Sequence, residues 1–244
     1  MRYVVIDFEA TCDEPFNPDP QEIIEFPAIL VDEAGIVVEE FHTFVRPIAH
    51  PSLTAFCTEL TGIRSEQLDH APTFPDVVSQ FQEWLNQHTL ESSMIVTCGD
   101  WDLGSLLPRQ CAQHRLPIPK WAENWCNLKE LFAQHFPEMG QHVGMVRMIN
   151  ALGLSIVGRL HSGIDDARNI ARILRKLIES GAYIENTALW HCHECDTENR
   201  YLARQCARCK SPRAEMQPGD WLCSRCGCVN FARRVRCYHC GSAG

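Results

Sequence analysis

The sequence predicts an α/β domain with a mixed five-stranded sheet flanked by helices, followed by two small zinc-ribbon-like fingers. Three observations predict it. Apolar, β-branched segments alternate with amphipathic helical patterns over about the first 185 residues. A hydrophobic fraction of 45% is typical of a globular protein, and 244 residues suffice for one sizeable domain with small additions. Paired cysteines are concentrated after residue 190.

The first predicted strand, Tyr3–Thr11, carries two carboxylates. Because side chains alternate along a strand, Asp7 and Glu9 project from one face and the apolar residues from the other. Like charges separated by roughly 6–7 Å, two strand rises, repel each other and are costly to desolvate. Carboxylate oxygens are hard ligands, which favours Mg²⁺ or Mn²⁺ between them. The alternative is an edge strand with its acidic face in water.

The following segments extend the sheet and add helices. Strands at 23–31 and 35–45 are joined by a hairpin signal, so that three antiparallel strands open the sheet. Residues 46–72 contain three prolines and are predicted to be irregular. The other predicted elements are a helix from Pro75, strands at 94–98 and 121–126, a helix from Asp102, helices at 128–136 and 143–152, and a last helix after Ser162.

Two more carboxylates precede apolar helical faces. Asp102 lies four residues before Leu106 and continues the buried stripe of its helix at the N-terminal end. Asp166 precedes Ile170 on the inward face of the last helix, where a carboxylate has no local partner. Asp100, in the turn before Asp102, is predicted to be a helix cap rather than a metal ligand.

The loop before the last helix is flanked by glycines and contains His161, predicted to lie over the carboxylate of Asp166. Ser162 and Asp165 have the spacing of a capping box, which gives Asp165 a structural explanation. The outer face of this helix is basic and is predicted to be a solvated surface rather than a nucleic-acid contact. Its members are Arg168, Arg172, Arg175 and Lys176.

Four carboxylates and one imidazole form the candidate catalytic set: Asp7, Glu9, Asp102, Asp166 and His161. Two divalent cations would balance the charge of four carboxylates. Such a pair supports in-line phosphoryl transfer, because one ion lowers the pKa of a water molecule and both stabilise the developing charge. A histidine with a pKa near neutrality can take the proton from that water.

These motifs resemble the DnaQ-like DEDDh 3′-to-5′ exonucleases, which have an RNase H-like fold, over about residues 2–182. The family's motifs are seen as Asp7-Phe8-Glu9, Trp101-Asp102, and His161 to Asp166. The segments that start at Asp7, Phe56 and His161 look most like the Eri-type exoribonucleases. That resemblance implies removal of nucleoside 5′-monophosphates from RNA 3′ ends. It also implies a terminal nucleotide near Glu9, Ala10 and His161.

The tail contains a repeated cysteine pattern. The unit Trp-x-Cys-x₂-Cys-x₃-Asn-x₆-Cys-x₂-Cys occurs twice with an offset of 31 residues. Four thiolates make a closed structural Zn²⁺ site, and metal binding supplies most of the folding energy of so short a segment. The predicted ligands are Cys192, Cys195, Cys206 and Cys209 for the first zinc and Cys223, Cys226, Cys237 and Cys240 for the second. Cys228, His191, His193 and His239 lie outside the repeated spacing and are weaker candidates.

The two fingers resemble Ran-binding-protein-type zinc fingers, some of which bind single-stranded RNA and others ubiquitin. The second finger looks like the RNA-binding subset, because it offers aromatic stacking surfaces and bidentate donors for unpaired guanines. These residues are Trp221, Asn230, Phe231, Arg233 and Arg234. The first finger keeps Trp190 and Asn199. It has Arg200, Leu202 and Ala203 where the second finger has Phe231, Arg233 and Arg234, so a protein contact or a spacer role is an equal alternative to RNA binding. For both fingers, the alternative to binding RNA or protein is a purely structural role.

The predicted domains are an exonuclease domain at 1–185 and fingers at 188–212 and 219–244, with a linker at 211–220. Residues 1–187 hold 13 Lys and Arg against 26 Asp and Glu, whereas 188–244 hold 9 against 5. The basic tail would attract a polyanion that the acidic body repels.

Cellular location is predicted from cysteine usage and from the start of the chain. Zinc-ligating cysteines indicate a reducing compartment. The first strand begins at residue 2, which leaves no room for a targeting peptide, and no apolar run reaches membrane-spanning length. We therefore expect a cytoplasmic or nuclear protein with no membrane association.

The sequence thus predicts a 3′-to-5′ exoribonuclease with two Mg²⁺ (or Mn²⁺) in the active site and two structural Zn²⁺, whose fingers hold RNA near the active site. A DNA-directed or proofreading-type exonuclease would use the same catalytic residues and stays open as an alternative. The other alternative is a non-enzymatic adaptor that binds RNA or ubiquitin through its fingers.

Overall fold

The computed structural model describes residues 1–88, 93–140, 143–192, 194–201, 203, 205–213 and 235–236, with the backbone alone at 221–222 and 229–230. The strands are β1 (Arg2–Ile6), β2 (Glu9–Ala10), β3 (Ile23–Val31), β4 (Val37–Phe44), β5 (Ser93–Thr97), β6 (Trp125–Asn127), β7 (Leu189–His191), β8 (Glu198–Arg200), β9 (Trp221–Leu222) and β10 (Val229–Asn230). The helices are α1 (Ala55–Thr61), α2 (Ser65–Leu68), α3 (Phe74–His88), α4 (Leu107–Gln113), α5 (Leu128–His135), α6 (Met145–Ala151) and α7 (Gly163–Glu179). Short 3₁₀ turns lie at Lys120–Ala122 and Pro137–Met139, and a π-helical turn at Asp102–Leu106 leads into α4.

The main sheet is mixed, as predicted. Its strand order is β2-β3-β1-β5-β6, and β4 also pairs with β3. β1, β3 and β4 are antiparallel neighbours, whereas β5 and β6 run parallel to β1. The sheet has six strands because the predicted first strand is interrupted at Asp7 and Phe8; both of its parts, β1 and β2, pair with β3.

Helices cover both faces of the sheet. All nine residues of β3 are buried, which is the pattern of a strand packed on both sides. One face of the sheet forms a core with α3 and α4 around Phe26, Phe74 and Phe81. The other face packs against α5, α6 and α7, and Ile29 and Ile170 lie in this second core. The acidic residues described below lie where β1 ends and α7 begins.

Two predictions about the bounds of helices and strands are wrong in this domain. The segment at 46–72 is not irregular throughout, because it contains α1 and α2. The hydroxyl of Thr54 accepts a hydrogen bond from Cys57 N at 3.0 Å and caps α1, and Gly62 ends that helix with a φ of +77°. The strand predicted at 121–126 is confined to Trp125–Asn127, because a 3₁₀ turn occupies its first half.

The first finger is a β7–β8 hairpin followed by its second cysteine pair, and Trp190 is the partner of Asn199 across the hairpin. In the second finger, β9 and β10 pair in the same register, with Asn230 opposite Trp221. Among the helices in the described part of the chain, none has the length and apolar character needed to cross a membrane.

Candidate active site and zinc centre

Three of the four predicted carboxylates converge. Asp7, Glu9 and Asp166 each place an oxygen within 4.8 Å of the other two. Asp7 follows β1, Glu9 opens β2, and Asp166 lies in the first turn of α7. Gly163 allows this approach, because a Cβ there would lie 2.9 Å from the carbonyl oxygen of Asp7.

The fourth carboxylate, Asp102, is connected to the same strand through the backbone. Its Oδ1 accepts a hydrogen bond from the backbone N–H of Phe8 at 2.9 Å, between Asp7 and Glu9. Asp102 is 5% exposed and opens the π-helical turn, an element often found at functional sites. Its oxygens do not belong to the group of three that lies within 4.8 Å. The structure therefore places Asp102 beside the cluster rather than within it.

The electrostatics of the cluster favour a bound cation. Burial raises the pKa of Asp7 well above its usual range, and the charges of Asp102, Glu9 and Asp166 raise it further. Burial and then the neighbouring Glu25 raise the pKa of Glu9 to about 9. Burial also raises the pKa of Asp102 to about 6. A divalent cation would compete with these protons and remove the repulsion.

Asp166 supplies a second indication of a cation. Its Oδ2 accepts a hydrogen bond from the backbone N–H of His161 at 2.8 Å. Its Oδ1 is buried and has no hydrogen-bond partner among the described residues. A buried carboxylate oxygen without a partner is costly unless a cation binds it. The carboxylates present therefore fit a divalent metal.

His161 adjoins the cluster through its backbone. The residue is exposed and has a φ of +61°, a left-handed conformation that is uncommon outside glycine. Strain of this kind costs on the order of 1–3 kcal/mol and is concentrated at functional sites. The contact with Asp166 runs through the backbone N–H of His161.

The helix cap predicted from Ser162 and Asp165 is wrong. Ser162 makes no side-chain capping bond. Asp165 instead accepts a hydrogen bond from Arg159 N at 2.9 Å and pairs with Arg168 at 3.2 Å. The exposed end of α7 is therefore organised by Asp165 in a way that the spacing did not predict.

Glu25 caps α7, a role that was not predicted from the sequence. Its carboxylate accepts hydrogen bonds from Gly163 N at 2.9 Å, from Ile164 N at 3.1 Å and from His42 Nε2 at 2.8 Å. Glu25 lies directly opposite Glu9 in the β2–β3 register. An acidic residue within the otherwise apolar segment Ile23–Val31 was the available signal.

Asp100 was predicted to cap a helix, but its side chain does not do so. Its carboxylate accepts hydrogen bonds from Trp125 Nε1 and Asn127 Nδ2, both at 2.9 Å. Burial raises the pKa of Asp100, and these two hydrogen bonds act in the opposite direction. Asp100 therefore connects the turn before Asp102 to strand β6.

A cavity of about 340 Å³ opens beside the carboxylates. Glu9 and Ala10, both predicted to lie near a nucleotide, line it together with the aromatic residues Phe8, Phe56 and Trp101. His161, the third predicted nucleotide neighbour, is not among the lining residues. The cavity offers acidic groups at one side and stacking surfaces at another.

The four cysteines predicted to bind the first zinc lie together in the structure. The sulfurs of Cys192, Cys195, Cys206 and Cys209 lie within 4.8 Å of one another. The Sγ atoms of Cys192 and Cys209 are 3.4 Å apart, and those of Cys195 and Cys206 are 3.6 Å apart. Hydrogen bonding from the Cys209 backbone lowers the pKa of the Cys206 thiol to about 6, which favours the metal-binding thiolate.

Several predicted residues lie outside the described part of the chain. They are Cys223, Cys226, Cys237 and Cys240 of the second zinc site, Phe231, Arg233 and Arg234 of the predicted RNA-binding face, and the alternative ligands His193, Cys228 and His239. Trp221 and Asn230 are described by their backbone alone. His191 forms an ion pair with Asp196 at 3.6 Å rather than joining the four cysteines.

The chain belongs to the exonuclease family whose model, RNase_T, matches residues 4–174. A second family model, the zinc finger in Ran binding protein and others, matches residues 189–215 and 218–244. The same relationship holds among solved structures. The chain has a TM-score of 0.71 and 34% identity to the nuclease domain of 3′hExo, a DEDDh family member bound to rAMP, and covers 96% of that chain with 76% of its own. The predicted resemblance to DEDDh exonucleases and the predicted fold class are confirmed.

The relatives place the chain in the Eri-type branch. It is 41% identical over 191 residues to ERI1 exoribonuclease 3 of Homo sapiens, covering 76% of this chain and 56% of the relative. It is 34% identical over 192 residues to 3′-5′ exoribonuclease 1 of Homo sapiens, covering 77% of this chain and 55% of the relative. The chain thus spans about half the length of the curated relatives it matches.

Proposed function

We propose that this protein is a metal-dependent 3′-to-5′ exoribonuclease that releases nucleoside 5′-monophosphates from RNA 3′ ends. The convergence of Asp7, Glu9 and Asp166 in an exonuclease-family domain is the observation that carries the proposal. The names of the relatives support RNA as the substrate. So does a structural neighbour with 31% identity, a 3′-exonuclease whose structure concerns 3′-end specific recognition of a histone mRNA stem-loop.

The acidic cluster would hold two Mg²⁺ or Mn²⁺ ions, with Asp7, Glu9, Asp102 and Asp166 as the ligands. Hard carboxylate oxygens and the unpaired Oδ1 of Asp166 support this assignment. When bound, such cations lower the pKa of a water molecule and neutralise charge on a phosphate. Four cysteines in each finger would hold one structural Zn²⁺.

The 3′-terminal nucleotide would enter the cavity beside Glu9 and Ala10. Phe56 and Trp101 line this cavity and could stack on the base or the sugar. His161 would act as the general base that takes a proton from the attacking water. The hydrogen bond from its backbone N–H to Asp166 supports this role.

The second finger would contribute RNA binding. Its candidate contacts are Trp221, Asn230, Phe231, Arg233 and Arg234. Tethering this finger to the nuclease domain would raise the effective concentration of a 3′ end at the active site. We place this activity in the cytoplasm or nucleus, where thiolate zinc sites persist in a reducing environment.

Matched RNA and DNA strands with identical sequence and labelled 3′ ends test the proposal directly. With Mg²⁺ present, we expect release of the labelled nucleoside 5′-monophosphate from RNA, and slower release from DNA. Asp7→Asn should remove the activity, whereas Asp69→Asn, an exposed aspartate outside the cluster, should retain it. Faster cleavage of DNA would reject RNA as the preferred substrate. Binding of RNA without any cleavage would favour an adaptor.

A further inference from the structure

The chain entering the first finger is paired with the edge of the main sheet. Thr187 N and Ala188 N donate hydrogen bonds to Trp125 O at 3.0 and 3.1 Å. Trp125 N donates to Asn186 Oδ1 at 3.1 Å, and Asn127 N donates to Thr187 Oγ1 at 2.6 Å. Ala188 is fully buried in the same core as Trp125. The first finger therefore begins directly beside β6, with no unbound linker before it in the described residues.

A side chain of the finger, Tyr201, closes this contact. Its backbone N–H donates to Ala188 O at 2.8 Å, and its ring lies 5.1 Å from the ring of Trp125 in an edge-on arrangement. A Cβ on Gly104 would lie 2.6 Å from a carbon of the Tyr201 ring. The guanidinium of Arg213 covers the ring at 4.2 Å. Tyr201 is thus half-buried between the finger and the exonuclease domain.

One docked residue, Arg200, occupies the position of a predicted RNA contact of the second finger. With the offset of 31 residues, Arg200 aligns with Phe231 and Tyr201 aligns with Ala232. Arg200 forms an ion pair with Glu123 of the exonuclease domain at 2.5 Å. The position that offers an aromatic surface in the second finger therefore contacts protein in the first.

The tryptophan and the asparagine that both fingers have in common form hydrogen bonds inside the first finger. Trp190 is 8% exposed, and its Nε1 donates to Ala203 O at 3.0 Å. Asn199 Nδ2 donates to Thr197 O at 2.7 Å, and its Oδ1 accepts from Ala207 N at 2.8 Å. Neither side chain offers a polar edge for reading an RNA base.

The contact reaches the turn that carries a predicted metal ligand. Gly104, which packs on Tyr201, belongs to the same π-helical turn as Asp102. Gly104 N donates to Asp100 O at 2.7 Å, and the Asp100 carboxylate accepts from Trp125. Asp102 lies two residues before Gly104 in this turn, so a shift of Tyr201 would also move Asp102.

We infer that the first finger is a zinc-dependent brace: it docks on its own exonuclease domain through Tyr201 and positions Asp102, instead of binding RNA. Zinc binding holds β8, and the end of β8 presents Arg200 and the following residue, Tyr201, to the domain. Tyr201 is a positioning residue, because it acts through Gly104 and does not touch the carboxylates. This assignment rests on the proposed function for its effect on catalysis, but the docking itself does not.

The test combines hydrogen exchange with kinetics on a trinucleotide, a substrate too short to span the active site and a finger. In full-length Tyr201→Ala we expect faster amide exchange at 102–106 and at 125–127. We also expect kcat to fall and the Mg²⁺ concentration for half-maximal activity to rise, each by about 10-fold to 100-fold, the scale for residues that support metal ligands. Tyr201→Phe keeps the ring and should restore both properties.

Tyr183→Ala is the matched control, because Tyr183 is 79% exposed and lies outside the interface. It should leave the exchange rates and the kinetics unchanged. Cys192→Ser, which removes a ligand of the first zinc, should reproduce the effects of Tyr201→Ala. Its counterpart Cys223→Ser in the second finger should not change exchange at 102–106.

The outcomes separate the two proposals. Unchanged exchange and unchanged trinucleotide kinetics in Tyr201→Ala would overturn the brace. Loss of affinity for long RNA alone would show that the first finger binds RNA instead. If Tyr201→Ala speeds amide exchange at 102–106 but the wild-type protein cleaves no RNA, the docking is supported and the proposed activity fails. If the alanine variant does not fold, Gly104→Ala tests the same contact from the exonuclease side, with the same expected direction.

Discussion

The acidic cluster (Asp7, Glu9 and Asp166) and the four cysteines of the first finger are assembled from the chain in opposite ways. The carboxylates come from a strand and a helix at the two ends of the exonuclease domain sequence, and buried packing brings them together. The four cysteines come from one short segment, 192–209, with little core of its own. The fold thus assembles the acidic cluster despite its charge repulsion, whereas the finger would depend on a bound zinc ion for its structure. Cation removal should cost activity at the first site and structure at the second.

The largest effect is expected from Asp7→Asn. Because burial, and then the neighbouring carboxylates, raise the pKa of Asp7, a neutral side chain should raise the melting temperature of the protein without Mg²⁺ or Mn²⁺. The same variant should have no detectable nuclease activity and should lose the stabilisation that Mg²⁺ gives the wild type. Differential scanning calorimetry with and without Mg²⁺ measures both changes in stability. A lower melting temperature in the metal-free variant would show that Asp7 stabilises the fold directly.

His161→Ala should have the next largest effect. Removal of a general base slows hydrolysis by about 10²-fold to 10⁴-fold. The backbone N–H that holds Asp166 is retained in the variant, so the Mg²⁺-dependent shift in melting temperature should stay as in the wild type. Single-turnover kinetics with His70→Ala, an exposed histidine elsewhere, provide the comparison. Unchanged turnover would remove His161 from the mechanism.

Glu25→Gln tests whether packing alone builds the acidic cluster. The amide retains one acceptor oxygen where the carboxylate receives three hydrogen bonds, so a buried N–H of α7 loses its partner. We expect a loss of about 1–3 kcal/mol in the free energy of unfolding, measured by urea denaturation. Glu39→Gln, an exposed change on the neighbouring strand, should cost far less. Equal effects of the two variants would show that Glu25 does not hold α7 in place.

Arg168→Ala should have the smallest effect. Arg168 pairs with Glu40 at 2.6 Å and with Asp165 at 3.2 Å, and all three side chains are partly exposed. Exposed ion pairs contribute about 0.2–1 kcal/mol. We expect a change of that size in stability and unchanged affinity for RNA in a fluorescence anisotropy titration. A clear loss of RNA affinity would identify the basic face of α7 as a contact surface.

The local patterns of the sequence predicted much of the site. Alternation along a strand singled out Asp7 and Glu9, although the strand is interrupted at Asp7 and Phe8, and helical spacing singled out Asp166. The same reasoning failed for Glu25. Its strand is buried on both faces, so no alternation reveals which face its carboxylate occupies.

Contacts between distant segments were harder to predict. The helices at 55–61 and 65–68 were missed because prolines in the segment suggested an irregular chain, although Pro47 and Pro51 precede the helices and Pro72 follows them. The docking of Tyr201 on Gly104 joins positions far apart in sequence, and no spacing rule links them. Charge and propensity describe each segment separately, whereas such contacts depend on how complete surfaces fit together.

The most direct test of the central claim is a calorimetric titration of Mn²⁺ into zinc-loaded protein. The account predicts that the wild type binds two Mn²⁺ ions per chain and that Asp7→Asn and Asp166→Asn each lose this binding while Asp69→Asn retains it. Binding that is absent in the wild type, or equal in the wild type and both cluster variants, would contradict the account.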